Sequence, residues 1–228
     1  MGYPGAGLIQ LYSGRYFSPF DPREEDILIQ DIAHHLSNIC RFTGAVTRFM
    51  SVAQHSVHVS YLVPQKHALQ ALLHDASEAY LCDLPKPIKE LPDMEPYRKA
   101  EDNLQRLIFR RFKVPEEMHP SVHKADMRAL ATEFRDLMAN YPLSKLYGKP
   151  DKDTIVPLTP TRANQLFMTR YHELTAKRVQ RTTKKKDFAE ITYSELEPIR
   201  AFPGLFTWAN PEETILSFLN IPYTECTI

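Results

Sequence analysis

Ala68-Leu69-Gln70-Ala71-Leu72-Leu73-His74-Asp75-Ala76-Ser77-Glu78-Ala79 is the stretch on which the reading of this chain turns. Apolar residues at 69, 72, 73, 76 and 79 or 80 recur at helical spacing, which predicts one amphipathic helix with a single buried face. Glu78 falls four residues after His74 and three after Asp75, one turn along the same side. An imidazole and two carboxylates at the rim of a buried stripe are costly, because buried charge persists only when paired or bound to a metal. A His-Asp doublet alone carries little information, so partners elsewhere in the chain decide its meaning.

Two further predicted helices supply partners. In the run from Ser51 to Leu62, the residues Val52, His55, Val59 and Leu62 share a stripe, which turns His55 inward and leaves His58 off it. Val122, Asp126, Leu130, Phe134 and Leu137 form another stripe, with Asp126 at a core position. A carboxylate there needs a cation or several hydrogen bonds. Two histidines and two aspartates from three helices make an N/O donor set suited to a divalent transition metal. His55, His74, Asp75 and Asp126 are therefore the candidate ligands. Glu78 stands outside that set, placed to move protons for a water at the ion.

With His55, then His74-Asp75, then Asp126 in this order, the chain resembles the HD-domain metal-dependent phosphohydrolases. Within that superfamily it is most similar to the bacterial 5′-deoxynucleotidase branch and the related phage deoxynucleoside triphosphohydrolases. Leu73-His74-Asp75-Ala76-Ser77-Glu78 and Asp83-Leu84-Pro85-Lys86-Pro87-Ile88-Lys89 resemble that branch's H-D-A-S-E and D-L-P-x-P-x-K segments. Val122-His123-Lys124-Ala125-Asp126 is similar to its (V/I)-x-x-A-D helix, and Arg41-Phe42 to an arginine-aromatic pair. The likeness runs from Ile27 to Leu137, about half the chain.

The resemblance implies an all-α fold: an HD-domain helical bundle with a short irregular N-terminal arm and a C-terminal extension. It implies one divalent ion (Mn²⁺, Co²⁺, Zn²⁺ or Fe²⁺), with a second Mg²⁺ where the substrate is a polyphosphate. The implied reaction is hydrolysis of the 5′-phosphate of deoxynucleoside monophosphates. Glu78, Asp83 and Arg41 would be catalytic, and Arg41, Phe42, Asp83 and Lys86 would contact substrate. Arg41 suits phosphate because guanidinium offers paired donors to its oxygens. The motifs leave three alternatives open: a triphosphohydrolase of the dATP type releasing tripolyphosphate, a cyclic-nucleotide phosphodiesterase, and a non-catalytic nucleotide sensor. The extra histidines of two-metal HD enzymes are missing around His74.

The chain has 228 residues, 43% hydrophobic and 25% charged, the composition of an ordinary globular protein. Lys+Arg 28 against Asp+Glu 28 gives no net charge, so no global field draws it to nucleic acid. No apolar run has the length of a membrane span, and the N-terminus lacks a signal-peptide pattern. Three cysteines without paired spacing fit reduced thiols and a cytoplasmic setting, with Cys82 expected as a small buried side chain.

Residues 1–26 read as an irregular arm, 27–181 as the helical bundle, and 182–228 as an extension packing on the bundle or on a partner subunit. That apolar extension suggests a homodimer or a higher homo-oligomer. Helices are expected over 27–39, around His55, and over 95–112, 116–140 and 161–181. In the extension, Lys184-Lys185-Lys186 reads as a solvated helix end, and Asn210-Pro211-Glu212-Glu213 as a helix start. Phe202, Leu205, Phe206 and Trp208 between them form an apolar loop. His34 and His35 are expected as core or capping histidines.

Overall fold

A computed structural model of the chain describes residues 7–139 and 148–180, the last four as backbone only. All of these lie in one unit, Met1–Thr182. The readings of the basic stretch at 184–186, the apolar loop at 202–208 and the helix start at 210 fall outside the described residues.

The described chain is mostly helical, with one two-stranded antiparallel sheet. Strand β1 (Ile9–Gln10) pairs with β2 (Tyr16–Phe17), Ile9 opposite Phe17. The helices are α1 (Ile29–Asn38), α2 (Val52–Tyr61), α3 (Ala68–Leu72), α4 (Glu78–Leu81), α5 (Lys86–Lys89), α6 (Glu95–Arg111), α7 (Pro120–Leu137) and α8 (Pro160–Gln180).

Their starts follow from capping chemistry. Ser51 caps α2 by accepting the backbone N–H of Gln54, and His119 caps α7 by accepting that of Ser121. Proline stands at the first position of α7 and α8, where its missing N–H costs nothing. Helix α7 thus begins at Pro120 rather than near residue 116.

Helix α8 lies against α1, α2 and α3 and closes the core. Its Ala163, Phe167 and Leu174 are buried there with Ile32, Leu36, Val59 and Leu72. Full burial of each large apolar side chain stabilises the fold by about 1.5–3 kcal/mol.

The N-terminal arm is anchored by polar contacts to α1. Asp31, fully buried on α1, accepts from the backbone N–H of Ser13 at 2.7 Å and from its hydroxyl at 2.9 Å. His35 donates Nδ1–H to the carbonyl of Ala79 at 2.7 Å and accepts the N–H of Tyr12 at Nε2, 3.1 Å. The Tyr12 ring stacks on His34, and Phe17 stacks on Tyr80. His34 and His35 therefore tie the arm to the bundle.

Candidate metal centre

The single helix expected over residues 68–79 is two short helices, α3 and α4, separated by a turn at 73–77 that carries His74 and Asp75. Two side chains open the helical ladder. His74 donates Nδ1–H to the carbonyl of Ala71 at 2.8 Å, occupying an acceptor the next turn would use. The Gln105 amide from α6 inserts between the carbonyl of Leu73 (2.7 Å) and the N–H of Ser77 (3.0 Å), two groups a continuous helix would bond to each other. The turn instead closes through tighter bonds such as Ala76 N–H to Leu73 O at 3.1 Å and Glu78 N–H to Asp75 O at 3.0 Å.

Helix α2 brings His55 to the same point, fully buried as its stripe required. The Nε2 atoms of His55 and His74 lie 3.3 Å apart. Asp75 Oδ2 is 3.1 Å from His74 Nε2 and 3.5 Å from His55 Nε2. Asp126 Oδ1, from α7, is 3.2 Å from His55 Nε2 and 3.9 Å from His74 Nε2. Asp126 is half-buried at the edge of α7 rather than in the core. The buried face of that helix includes Val122, Ala125, Ala129, Glu133 and Leu137, which matches the expected stripe at both ends and lies one position off it between them.

Both ring orientations follow from their partners, because a carbonyl or ionised carboxylate only accepts. The Nδ1 atom of each histidine carries hydrogen, for Ala71 O in one case and Glu133 Oε1 in the other, so both Nε2 lone pairs aim at the two carboxylate oxygens. Such a gathering of acceptors calls for a cation. Donors bound at 2.0–2.2 Å to a four- or six-coordinate ion sit about 3–3.6 Å apart, close to the observed spacings. His55, His74 and Asp75 form a group that can hold a metal ion.

The electrostatics agree. Burial and Arg41 oppose a proton on His55, yet Glu133 and Asp126 outweigh them and push it up to about 10. Burial disfavours charge on Asp75, but His74 and His55 hold it well below the usual carboxylate range. Without an ion, protons stand in for the missing positive charge.

Glu78 is buried on α4, and its Oε2 has no hydrogen-bond partner among the described residues. Burial, then Asp75 and Asp83, raise it well above an ordinary glutamate and so favour its protonated form. Lys89, bonded to Glu101 at 2.6 Å, reaches to 3.8 Å from Glu78 Oε1. Asp83 follows Cys82, which is exposed and not buried as expected, in an unusual backbone state (φ 69°, ψ 157°). Lys86 is not brought to the cluster: it is exposed on α5 and pairs with Glu90 at 3.7 Å.

Arg41 is buried, at 8% exposure. Its Nε donates to Glu133 Oε2 at 3.0 Å, one terminal nitrogen pairs with the same oxygen at 3.0 Å, and the other lies 3.9 Å from Asp83 Oδ2. Phe42 and Thr43 adopt left-handed backbone (φ 54° and 51°), a strained pair that turns Arg41 inward. The Phe42 ring rests edge-on against Phe134. Glu133 was not singled out in the sequence. Its one signal is its place seven residues after Asp126, two turns along α7.

No protein-family model matches the chain. It is 41% identical over 171 residues to uncharacterized protein YfdR of Escherichia coli strain K12, covering 73% of this chain and 94% of that protein. It is 30% identical over 185 residues to an uncharacterized protein of Rhodobacter capsulatus, covering 72% of this chain and 94% of the relative. With identity at that level over almost the whole of both relatives, the chain belongs to the YfdR family.

Proposed function

We propose that this chain is a metal-dependent phosphohydrolase of the HD superfamily that removes the 5′-phosphate of deoxynucleoside monophosphates. The observation that carries the reading is the convergence of His55 Nε2, His74 Nε2, Asp75 Oδ2 and Asp126 Oδ1 beside a buried Glu78 whose surroundings favour its protonated form. A divalent transition ion held by those four residues would polarise a phosphoryl oxygen and make a water more acidic.

The chain's own groups supply the rest. Water adds to phosphorus as the bond to the 5′ oxygen breaks, the departing oxygen takes the proton held by Glu78, and the proton released by the water returns to that carboxylate. Lys89 and Asp83 flank that carboxyl. Two of the Arg41 nitrogens are committed to Glu133, so the remaining terminal nitrogen, beside Asp83, is the part of the guanidinium left to face a phosphate. Phe42 presents an aromatic face next to it.

The test is phosphate release from dNMPs, NMPs, dNTPs and cyclic nucleotides, after chelation and addition of Mn²⁺, Co²⁺, Zn²⁺, Fe²⁺ or Mg²⁺. Orthophosphate from dNMPs is expected, abolished in Asp75→Ala and reduced about 10²–10⁴-fold in Glu78→Gln. Tripolyphosphate from a dNTP would reassign the chain as a triphosphohydrolase. Cleavage of cyclic nucleotides alone would make it a phosphodiesterase. Binding without turnover on any substrate would leave a sensor.

A further inference from the structure

Glu133 is the most enclosed carboxylate at the centre, with no exposed side-chain surface. Its two oxygens are divided between two partners: Oε1 lies 2.5 Å from His55 Nδ1, and Oε2 receives two Arg41 nitrogens, each at 3.0 Å. A neutral imidazole can carry its hydrogen on either nitrogen. On Nε2 that hydrogen would point at His74, Asp75 and Asp126 and remove one donor from the cluster.

We propose that Glu133 is a positioning residue for the metal centre: it fixes the ring and tautomer of His55, and Arg41 fixes Glu133 in turn. This rests on the metal-centre reading above. The two histidines are oriented by different devices, His74 by a neutral carbonyl and His55 by a fully enclosed carboxylate. The stronger acceptor serves the deeper ligand. A carboxylate in that place needs a permanent cation of its own, and Arg41 supplies it from a loop whose left-handed residues turn it inward. Arg41 and Glu133 therefore act in series on His55, so removing both costs no more metal affinity than removing Glu133 alone.

The probe is Co²⁺ alone, titrated by its visible absorption into the chelator-stripped full chain, with urea unfolding measured in parallel. Wild type binds, and Glu133→Gln binds about 10–100-fold more weakly. The double variant Arg41→Met/Glu133→Gln loses both buried charges together, so it unfolds closer to wild type than either single variant. Its Co²⁺ affinity nevertheless stays as low as that of Glu133→Gln. A merely structural role predicts that affinity returns with stability. That return, or wild-type affinity in Glu133→Gln, overturns the proposal. If the wild type binds no Co²⁺, or Asp75→Ala binds as well as wild type, the metal centre itself is wrong and this proposal falls with it.

Discussion

Replacing Gln105 with methionine keeps the length of the side chain and removes its amide. That amide satisfies the carbonyl of Leu73 and the N–H of Ser77, both on residues that are essentially buried. The Leu73 carbonyl keeps the Ala76 N–H, so the group left without a partner is the buried Ser77 N–H, at a cost of about 1–3 kcal/mol. The expected loss is about 1–3 kcal/mol, roughly 2–12 °C in Tm for a domain of this size. The variant can recover part of this only by letting Ser77 bond Leu73 directly, which turns 73–77 into regular helix. His74 and Asp75 would then rotate away from His55 and Asp126. Urea unfolding of the metal-free protein and Co²⁺ titration together read both possibilities. Each route weakens Co²⁺ binding by at least about tenfold, the effect expected for supports of metal ligands. Stability within about 0.5 kcal/mol of wild type, together with unchanged Co²⁺ affinity, would refute the argument that Gln105 holds the turn open.

Arg41→Met removes the permanent cation facing buried Glu133 and leaves it only His55, and is expected to lose about 3–5 kcal/mol in urea unfolding; a loss under about 1 kcal/mol would mean the pair is not buried as described. In the metal-free protein His55 binds its proton more tightly when folded (about 10) than when unfolded (6.5), so its contribution is fully present below about pH 6.5 and is lost as pH rises through 10. A bound divalent ion takes the place of that proton, so melting curves of stripped and loaded protein should diverge between pH 7 and 10, and parallel curves would contradict this. Asp31→Asn weakens both contacts that hold Ser13, so the arm should be cut by protease faster while α1 to α8 stay protected. Equal cleavage rates would show that the arm is held by its apolar contacts alone.

The sequence by itself determined most of the longer helices and which residues gather at the centre. Apolar spacing at 29, 32, 33 and 36 specifies α1, and Pro160 marks where α8 begins, whereas α7 starts at Pro120 and not near residue 116 as its sequence suggests. His55 is legible as inward-facing because Val52 and Val59 lie above and below it on the same stripe. These features are local: a face that repeats every turn records burial, whatever it is buried against. The tertiary structure decided what local periodicity does not contain. The break at 73–77 comes from Gln105, 28 and 32 residues away along the chain from the groups it bonds. The placement of Glu133 on the core face in place of Phe134 depends on His55, 78 residues away, and on Arg41, 92 residues away. Read alone, a carboxylate next to a phenylalanine belongs outside. Only the chain path that brings an imidazole and a guanidinium to it makes burial the lower-energy choice, because charge is tolerated in the interior when its partners are already there.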